Sequence, residues 1–323
     1  MSDRGIEVEN LVKRYPGDVK AVDDVSFQVK GGSIFGFLGP NGAGKSTAIK
    51  ILTTLVLPTS GRAAVGGFDV AEYDDDVRRI TGVALQEIGI DPLMKATELL
   101  ELQARLFGSS RAEAQQRARE LLALVQLEDA ADRRTGTFSG GMRRRLDLAM
   151  SLVHEPRILF LDEPTTGLDP ASRRDVWKEV QRLNQKLGIT IFLTTQYLEE
   201  ADALADRVAI IDAGKIAVEG APEALKASLG GESISLLFDA RDTAEQALSE
   251  LTGIGERLQL DRESVRLYIR QAAQAIPAVV NRLQQASIEP LSLTLTQPTL
   301  DDVFLQVTGQ RLAARDSSPA QAA

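Results

Sequence analysis

The chain has 323 residues, 43% of them hydrophobic, a net charge of −9 and no cysteine. The length allows one large domain plus a small one, or two, and the lack of cysteine excludes disulfides and thiolate metal sites. The acidic balance argues against tracking a nucleic-acid backbone, so no nucleic-acid partner is expected.

No apolar run approaches the ~18 residues that a membrane-spanning helix needs. The opening Met1-Ser2-Asp3-Arg4 lacks the basic and apolar regions of a signal peptide. Residues 6–12 and 21–29 alternate apolar and polar, as edge strands of a small antiparallel sheet do. After the Gly31-Gly32 turn, residues 33–38 read as a short buried strand and 45–54 as a helix. Further strands are predicted at 62–66 and 82–86. Helical spacing then takes over at 97–107 and 111–125 and ends with the helix after Gly141. Strands return at 158–161, 190–194 and 208–212, with helices at 171–187 and 198–205 between them. That alternation predicts a mostly parallel sheet with helices packed on it. Asp212-Ala213-Gly214-Lys215 is a hairpin-type turn.

The first domain is expected to cover 1–230, with a helical subdomain at about 89–155 and its boundary at Leu229-Gly230-Gly231. Residues 231–309 have another rhythm: strand 233–238, helix 243–251, strands 257–260 and 264–269, a helix containing 277–285, and strand 291–296. The order β-α-β-β-α-β predicts a small ferredoxin-like α+β domain, closed by a short helix at 300–307. Residues 310–323, rich in Ser, Pro, Ala and Gln from Arg315 onward, are expected to form a disordered tail.

Gly39-Pro40-Asn41-Gly42-Ala43-Gly44-Lys45-Ser46 fits G-x-x-x-x-G-K-[ST] between a strand and a helix. Its glycines let backbone N–H groups converge on phosphate oxygens, and the helix start adds positive potential. Lys45 is expected to reach the β- and γ-phosphates. The Ser46 hydroxyl is the candidate Mg²⁺ ligand, with Thr47 as the weaker alternative. Residues 158–163 form an apolar strand ending in two carboxylates. Asp162 suits a Mg²⁺ shell, and Glu163 suits a general base that deprotonates an attacking water. A guanine-reading Asn-Lys-x-Asp motif is lacking, which argues against a GTPase. A small-molecule kinase would lack the Ser-Gly-Gly turn at 139–141 and the helical block before it.

Together these motifs resemble the ATP-binding cassette family over about residues 6–229. The resemblance implies an α/β fold: a P-loop NTPase domain with a mixed sheet and a helical subdomain. It implies ATP as ligand with Mg²⁺. It assigns Tyr15 to adenine stacking and Gln86 to the loop that senses Mg²⁺ and a permease. Ser139, Gly140 and Gly141 match the signature that contacts the γ-phosphate from an opposite subunit, and Asp169 lies in the loop that crosses such a dimer. The physical logic is a second anion site made by a hydroxyl and backbone N–H groups at a helix start.

Two departures stand out. The usual switch histidine is Gln196, whose amide can donate a hydrogen bond but cannot take up a proton. Catalysis is therefore expected to rest on Glu163 and Lys45, with Gln196 as a sensor. His154, the one histidine, reads as structural. The signature runs Phe138 to Met142 instead of the common Leu-Ser-Gly-Gly-Gln. Arg143-Arg144-Arg145 could face nucleotide phosphate or an acidic permease loop, and are read as a solvated face.

These departures and the ending Pro298 to Leu305 resemble the daunorubicin-resistance branch, ATP-binding subunits of bacterial drug exporters. The resemblance then implies a homodimer that hydrolyses ATP, paired with a separate integral-membrane permease on the cytoplasmic face. Export of a lipid, glycan or other endogenous compound is the nearest alternative. A soluble cassette ATPase of translation or DNA repair is a further one. The second domain, lacking His, Cys and a Gly-rich loop, is expected to support the dimer rather than bind a regulatory ligand.

Overall fold

The computed structural model describes residues 5–17, 19–86, 89–229, 232–269, 271–296 and 298–309. The chain divides into two compact units, Met1–Ala221 and Pro222–Ala323. The Gly230-Gly231 boundary and the tail at 310–323 lie outside the described residues.

The first unit opens with β1 (Ile6–Tyr15), β2 (Val19–Val29), β3 (Ile34–Leu38), α1 (Lys45–Leu52), β4 (Ser60–Val65), β5 (Phe68–Asp69), α2 (Asp74–Ile80) and β6 (Thr81–Ala84). Next comes a helical block: α3 (Ala96–Leu106), α4 (Arg111–Leu124) and α5 (Gly140–Ser151). The unit then continues with β7 (Ile158–Asp162), α6 (Pro170–Leu187), β8 (Thr190–Thr195), α7 (Leu198–Leu204), β9 (Arg207–Asp212) and β10 (Lys215–Gly220).

Two sheets result. One is antiparallel in the order β2-β1-β4-β5. The other, β10-β9-β3-β8-β7-β6, is parallel except for β10, which closes one edge as a hairpin. Strands covered on both faces read as near-continuous apolar runs, and β3 and β7 are buried throughout, with β7 ending in the carboxylate of Asp162. Alternation sorts the two faces. Phe35, Phe37, Phe160 and Phe192 join Phe27 of the first sheet, with ring centroids 5.4 to 5.8 Å apart. Leu159, Leu161, Ile191 and Leu193 face the helical block instead. Each such buried side chain contributes about 1.5–3 kcal/mol through burial alone.

The parallel strands end at one edge. There Leu38 of β3 is in register with Thr195, and Asp162 of β7 with Thr194. This is the edge where open α/β sheets bind ligands.

β5 and α2 were not foreseen from the sequence. α2 buries one apolar residue, Val77, so it has no amphipathic stripe to read. Its ends supply the order instead: Asp74, Asp75 and Asp76 sit in the first turn, and Arg78 Nη2 lies 2.7 Å from Asp74 and 2.6 Å from Asp75. β1 and β2 also run past their expected limits. Arg14 pairs with Lys20 and Tyr15 with Val19, because a hairpin ladder needs backbone partners rather than apolar side chains.

The second unit contains α8 (Pro222–Ser228), β11 (Ser233–Leu237), α9 (Arg241–Glu250), β12 (Arg257–Asp261), β13 (Ser264–Tyr268), α10 (Ala272–Gln285), β14 (Ser292–Thr296) and α11 (Leu300–Thr308). Its sheet is antiparallel in the order β12-β13-β11-β14, the ferredoxin-like arrangement. Ile234, Leu236, Val265 and Leu267 face Ala244, Ala247, Val279 and Leu283 of the two helices. α10 begins at Ala272 and carries Pro277 in its second turn.

Candidate active site

The turn after β3 reaches α1 through Gly44, whose φ is 110°. A Cβ there would sit 2.1 Å from the Ala21 carbonyl oxygen, so glycine is required by both conformation and space. Lys45 is the first helical residue and is 4% exposed. Its Nζ donates to the carbonyls of Gly39 at 2.7 Å and Pro40 at 3.1 Å, and lies 3.2 Å from Glu163 Oε1. The ammonium is thus held inside its own loop and neutralised by the carboxylate across the sheet edge.

The register of β7 and β8 brings the carboxylates in. Asp162 Oδ1 accepts hydrogen bonds from Thr194 Oγ1 at 2.6 Å and Ser46 Oγ at 3.3 Å. Glu163 leaves the strand with φ 48°, a left-handed conformation uncommon outside glycine. Its N–H donates to Thr194 Oγ1 at 3.1 Å, and its Oε2 accepts from Thr166 Oγ1 at 3.0 Å.

Pro40, Asn41, Gly42, Gly44, Lys45, Ser46, Thr47, Gln86 and Glu163 line one depression of about 310 Å³. Ala43, in the same loop, is buried. This loop fits a nucleotide's phosphates, with glycine backbone and a buried cation at a helix start. The Ser46 hydroxyl beside Asp162 suits a hard divalent cation. No cluster of three or more His, Cys, Asp or Glu is found among the described residues, so oxygens from elsewhere would have to complete such a shell.

Tyr15 and Gln196 are not among the lining residues. Tyr15 ends β1, with Lys13 Nζ 5.2 Å from its ring centroid, and Gln196 lies half-buried just beyond β8. The Ser-Gly-Gly turn also lies elsewhere. Ser139 is the N-cap of α5, its Oγ accepting from the Met142 N–H at 3.2 Å. Phe138 is buried, and Met142 packs on the helical core, so both departures in this motif are packing residues. The turn abuts the loop carrying Asp169: a Cβ on Gly141 would be 3.3 Å from Ser172 Oγ, and one on Gly140 3.1 Å from Leu168. Asp169 caps α6, accepting from the N–H groups of Ala171 and Ser172. Hydrogen bonding from Ser172 holds its carboxyl below the usual range.

His154 sits at the opposite edge. Its Nε2 lies 2.9 Å from the carbonyl oxygen of Thr81, the first residue of β6, and its ring stacks on Phe107 at 4.2 Å. Burial lowers its pKa, which favours the neutral ring.

The reading of Arg143-Arg144-Arg145 as a solvated face is corrected at Arg144 and Arg145. Arg143 is exposed as read, but Arg144 is 3% exposed, and the half-buried Arg145 donates from Nη1 to the Val125 and Gln126 carbonyls. Helical spacing places Arg144 on the face of Leu148 and Ser151, a signal that the charge run obscured.

The ABC transporter family model matches residues 22–166. A model described as the C-terminal domain of DrrA1-3-like ATP-binding proteins matches 220–308. The chain is 46% identical to the daunorubicin/doxorubicin resistance ATP-binding protein DrrA of Streptomyces peucetius, over 99% of this chain and 96% of that one. It is 42% identical to the daunorubicin resistance protein DrrA3 of Streptomyces coeruleorubidus, over 98% and 100%. Identity is 35% to the Nod factor export ATP-binding protein I of Cupriavidus pinatubonensis, over 95% and 91%. Among solved structures, the dimeric post-hydrolysis state of the ATP-binding cassette MJ0796 with ADP and Pi aligns at TM-score 0.61 and 28% identity, covering 67% of this chain and 98% of that one. The chain belongs to the ATP-binding, ATP-hydrolysing subunits of ABC transporters, in the branch of the daunorubicin/doxorubicin-resistance proteins.

Proposed function

We propose that this subunit hydrolyses Mg²⁺-ATP between two copies of itself to drive export of drugs or other hydrophobic compounds through a separate integral-membrane permease. The observation that carries this reading is the buried Lys45–Glu163 contact of 3.2 Å beside Ser46 and Asp162. An arriving γ-phosphate would draw the Lys45 ammonium to itself. That exchange frees Glu163 to accept a proton from the attacking water, while Thr166 and Thr194 hold the carboxylate and its backbone in place. Mg²⁺, held by Ser46 and Asp162 with Gln86 alongside, would supply charge neutralisation on the phosphates.

Ser139, Gly140 and Gly141 are absent from the lining of the depression, which supports a site completed by the partner copy's signature turn. In that arrangement Asp169 lies at the crossing, Tyr15 stacks on adenine and Gln196 senses the γ-phosphate without exchanging a proton. The cassette relative solved as a dimer supports the same reading. No described helix is long and apolar enough to cross a membrane. Association with the cytoplasmic face is therefore assigned to the permease.

Glu163→Gln is expected to bind ATP normally and lose turnover by ~10²–10⁴-fold. Full turnover in that variant would refute the role of Glu163. The 35% identical Nod factor export protein supports a second reading, export of an endogenous glycan or lipid. Co-purification with the membrane permease it pairs with, followed by ATPase assays with candidate drugs and lipids, decides between them. Stimulation by lipids alone would replace the drug reading.

A further inference from the structure

Arg144 lies in α5, five residues past the signature serine, yet its hydrogen bonds leave the helix. Nε donates to the Pro164 carbonyl at 2.8 Å and Nη2 to the Asp162 carbonyl at 3.3 Å. Nη1 donates to the Leu85 carbonyl at 2.7 Å and to Asp147 Oδ2, one turn further along α5, at 2.8 Å. Asp162 and Pro164 are the residues on either side of Glu163, and Leu85 immediately precedes Gln86.

We propose that Arg144 is a positioning residue for Glu163: its guanidinium, anchored to the signature helix by Asp147, clamps the carbonyls flanking that carboxylate and the one before Gln86. The proposal rests on the reading of Glu163 as the general base.

Three observations carry it. Glu163 has φ 48°, a conformation that a non-glycine residue keeps only where its surroundings over-determine it. The Thr194 contact fixes the N–H of Glu163, and Arg144 fixes the carbonyls before and after it, so the residue is held from both sides. Second, the acceptors come from the end of one strand and from residues just beyond two. A planar fork of five donors can serve them together, and a lysine ammonium cannot. Third, the pair is held against desolvation. The Arg144 side chain is 3% exposed and that of Asp147 14%, so neither charge is there for cheap stability. The same contacts tie the helix that begins at Ser139 to the base and to the Gln86 loop. A movement of the signature helix would thus reach Glu163 through one side chain.

The test uses the full chain and compares Arg144→Lys, Asp147→Asn, Glu163→Gln and the Arg144→Lys/Glu163→Gln double variant. ATP binding, steady-state kcat and KM, and single-turnover hydrolysis are measured for each. Arg144→Lys is expected to lower kcat between about 10- and 10²-fold, the scale of an ångström-level misplacement, with KM for ATP changed by less than about threefold. In the Glu163→Gln background the same substitution is expected to cost almost nothing further, because the group it positions is already gone. Asp147→Asn leaves the guanidinium in place and is expected to lower kcat several-fold, which keeps the test open if Arg144→Lys does not fold. Unchanged kcat in both single variants, or a full multiplicative loss in the double variant, would overturn the positioning role while leaving Glu163 as base. Full turnover in Glu163→Gln would overturn both.

Discussion

At the carboxyl ends of β3, β7 and β8, Lys45, Asp162, Glu163 and Arg144 are buried within one polar layer. At the amino end of the neighbouring β6, His154 meets a backbone carbonyl and a phenylalanine ring. The strands are shared, so strand composition does not separate these ends. The connecting segments do. At the carboxyl ends the chain turns through glycine and threonine segments that present N–H and hydroxyl donors to charges. At the amino ends of β6, β7, β8 and β9 it arrives from the helices α2, α5, α6 and α7. Buried charge survives at the first edge because every member has a partner, which is the condition under which it can be kept.

The largest test of this contrast is Lys45→Ala. It removes the cation from the polar edge and leaves the Glu163 carboxylate buried without its counter-ion. ATP affinity is expected to fall about 10- to 10²-fold, the worth of one or two hydrogen bonds to a charged group. Isothermal titration measures this, and unchanged affinity would move the phosphates elsewhere.

Gln196→Ala should act more weakly. A neutral amide contributes about 0.5–1.5 kcal/mol through one hydrogen bond, which corresponds to a turnover loss of roughly 2- to 12-fold. The pH profile of kcat should keep its shape, since an amide has no proton to exchange in this range. A profile that changes shape in this variant would make position 196 part of the proton path.

The polar edge should also respond to pH through Asp147. Burial lifts its folded pKa from 3.8 to about 6. The folded state therefore binds this proton more tightly than the unfolded chain. The stability it contributes is complete below the unfolded value and is lost as pH rises through about 6. At neutral pH the charged pair is kept at a net cost. Lowering the pH through 6 protonates Asp147 and loosens its hold on Arg144, so turnover should decline several-fold around that midpoint. Glu200 faces the same guanidinium and is also raised by burial, so the assignment needs Asp147→Asn, in which the step should vanish. A step that persists in Asp147→Asn belongs to another group.

Much of this edge is legible from the sequence because its parts are contiguous. The loop from Gly39 to Ser46 and the strand ending at Asp162-Glu163 each carry their chemistry in a few neighbouring residues, with strand and helix periods around them. The order of the second unit is legible for the same reason: its strands alternate against two apolar helix faces. Arg144 is not legible in that way. A run of three arginines signals solvent by composition, whereas the partners that bury Arg144 are carbonyls 18, 20 and 59 residues away. Backbone acceptors leave no trace in side-chain identity. α2 escapes for the opposite reason, since its order comes from charges at its ends rather than from an apolar stripe. Tyr15 and Gln196 gain their assignments from family resemblance, and neither lines the depression.

The smallest expected effect lies at the opposite edge. His154→Gln removes a ring stacked at 4.2 Å on Phe107 and replaces an imidazole whose Nδ1 has no hydrogen-bond partner. Glutamine can still donate to the Thr81 carbonyl, so that backbone group need not be left unsatisfied. ATPase activity should change by less than about twofold, because no contact links this ring to Lys45, Asp162 or Glu163 among the described residues. Stability should shift by about 0.5–1.5 kcal/mol through the lost stacking. The pH dependence has a definite sign. The folded pKa of His154 is lowered by burial, so the folded state resists the proton that the unfolded chain accepts, and stability falls as the pH drops through the unfolded value of 6.5. Thermal unfolding of His154→Gln between pH 7 and 5 should therefore lose part of the acid sensitivity seen in the parent, while kcat stays level. A collapse of kcat at pH 7 would place catalytic chemistry at the amino edge and dissolve the contrast between the two ends.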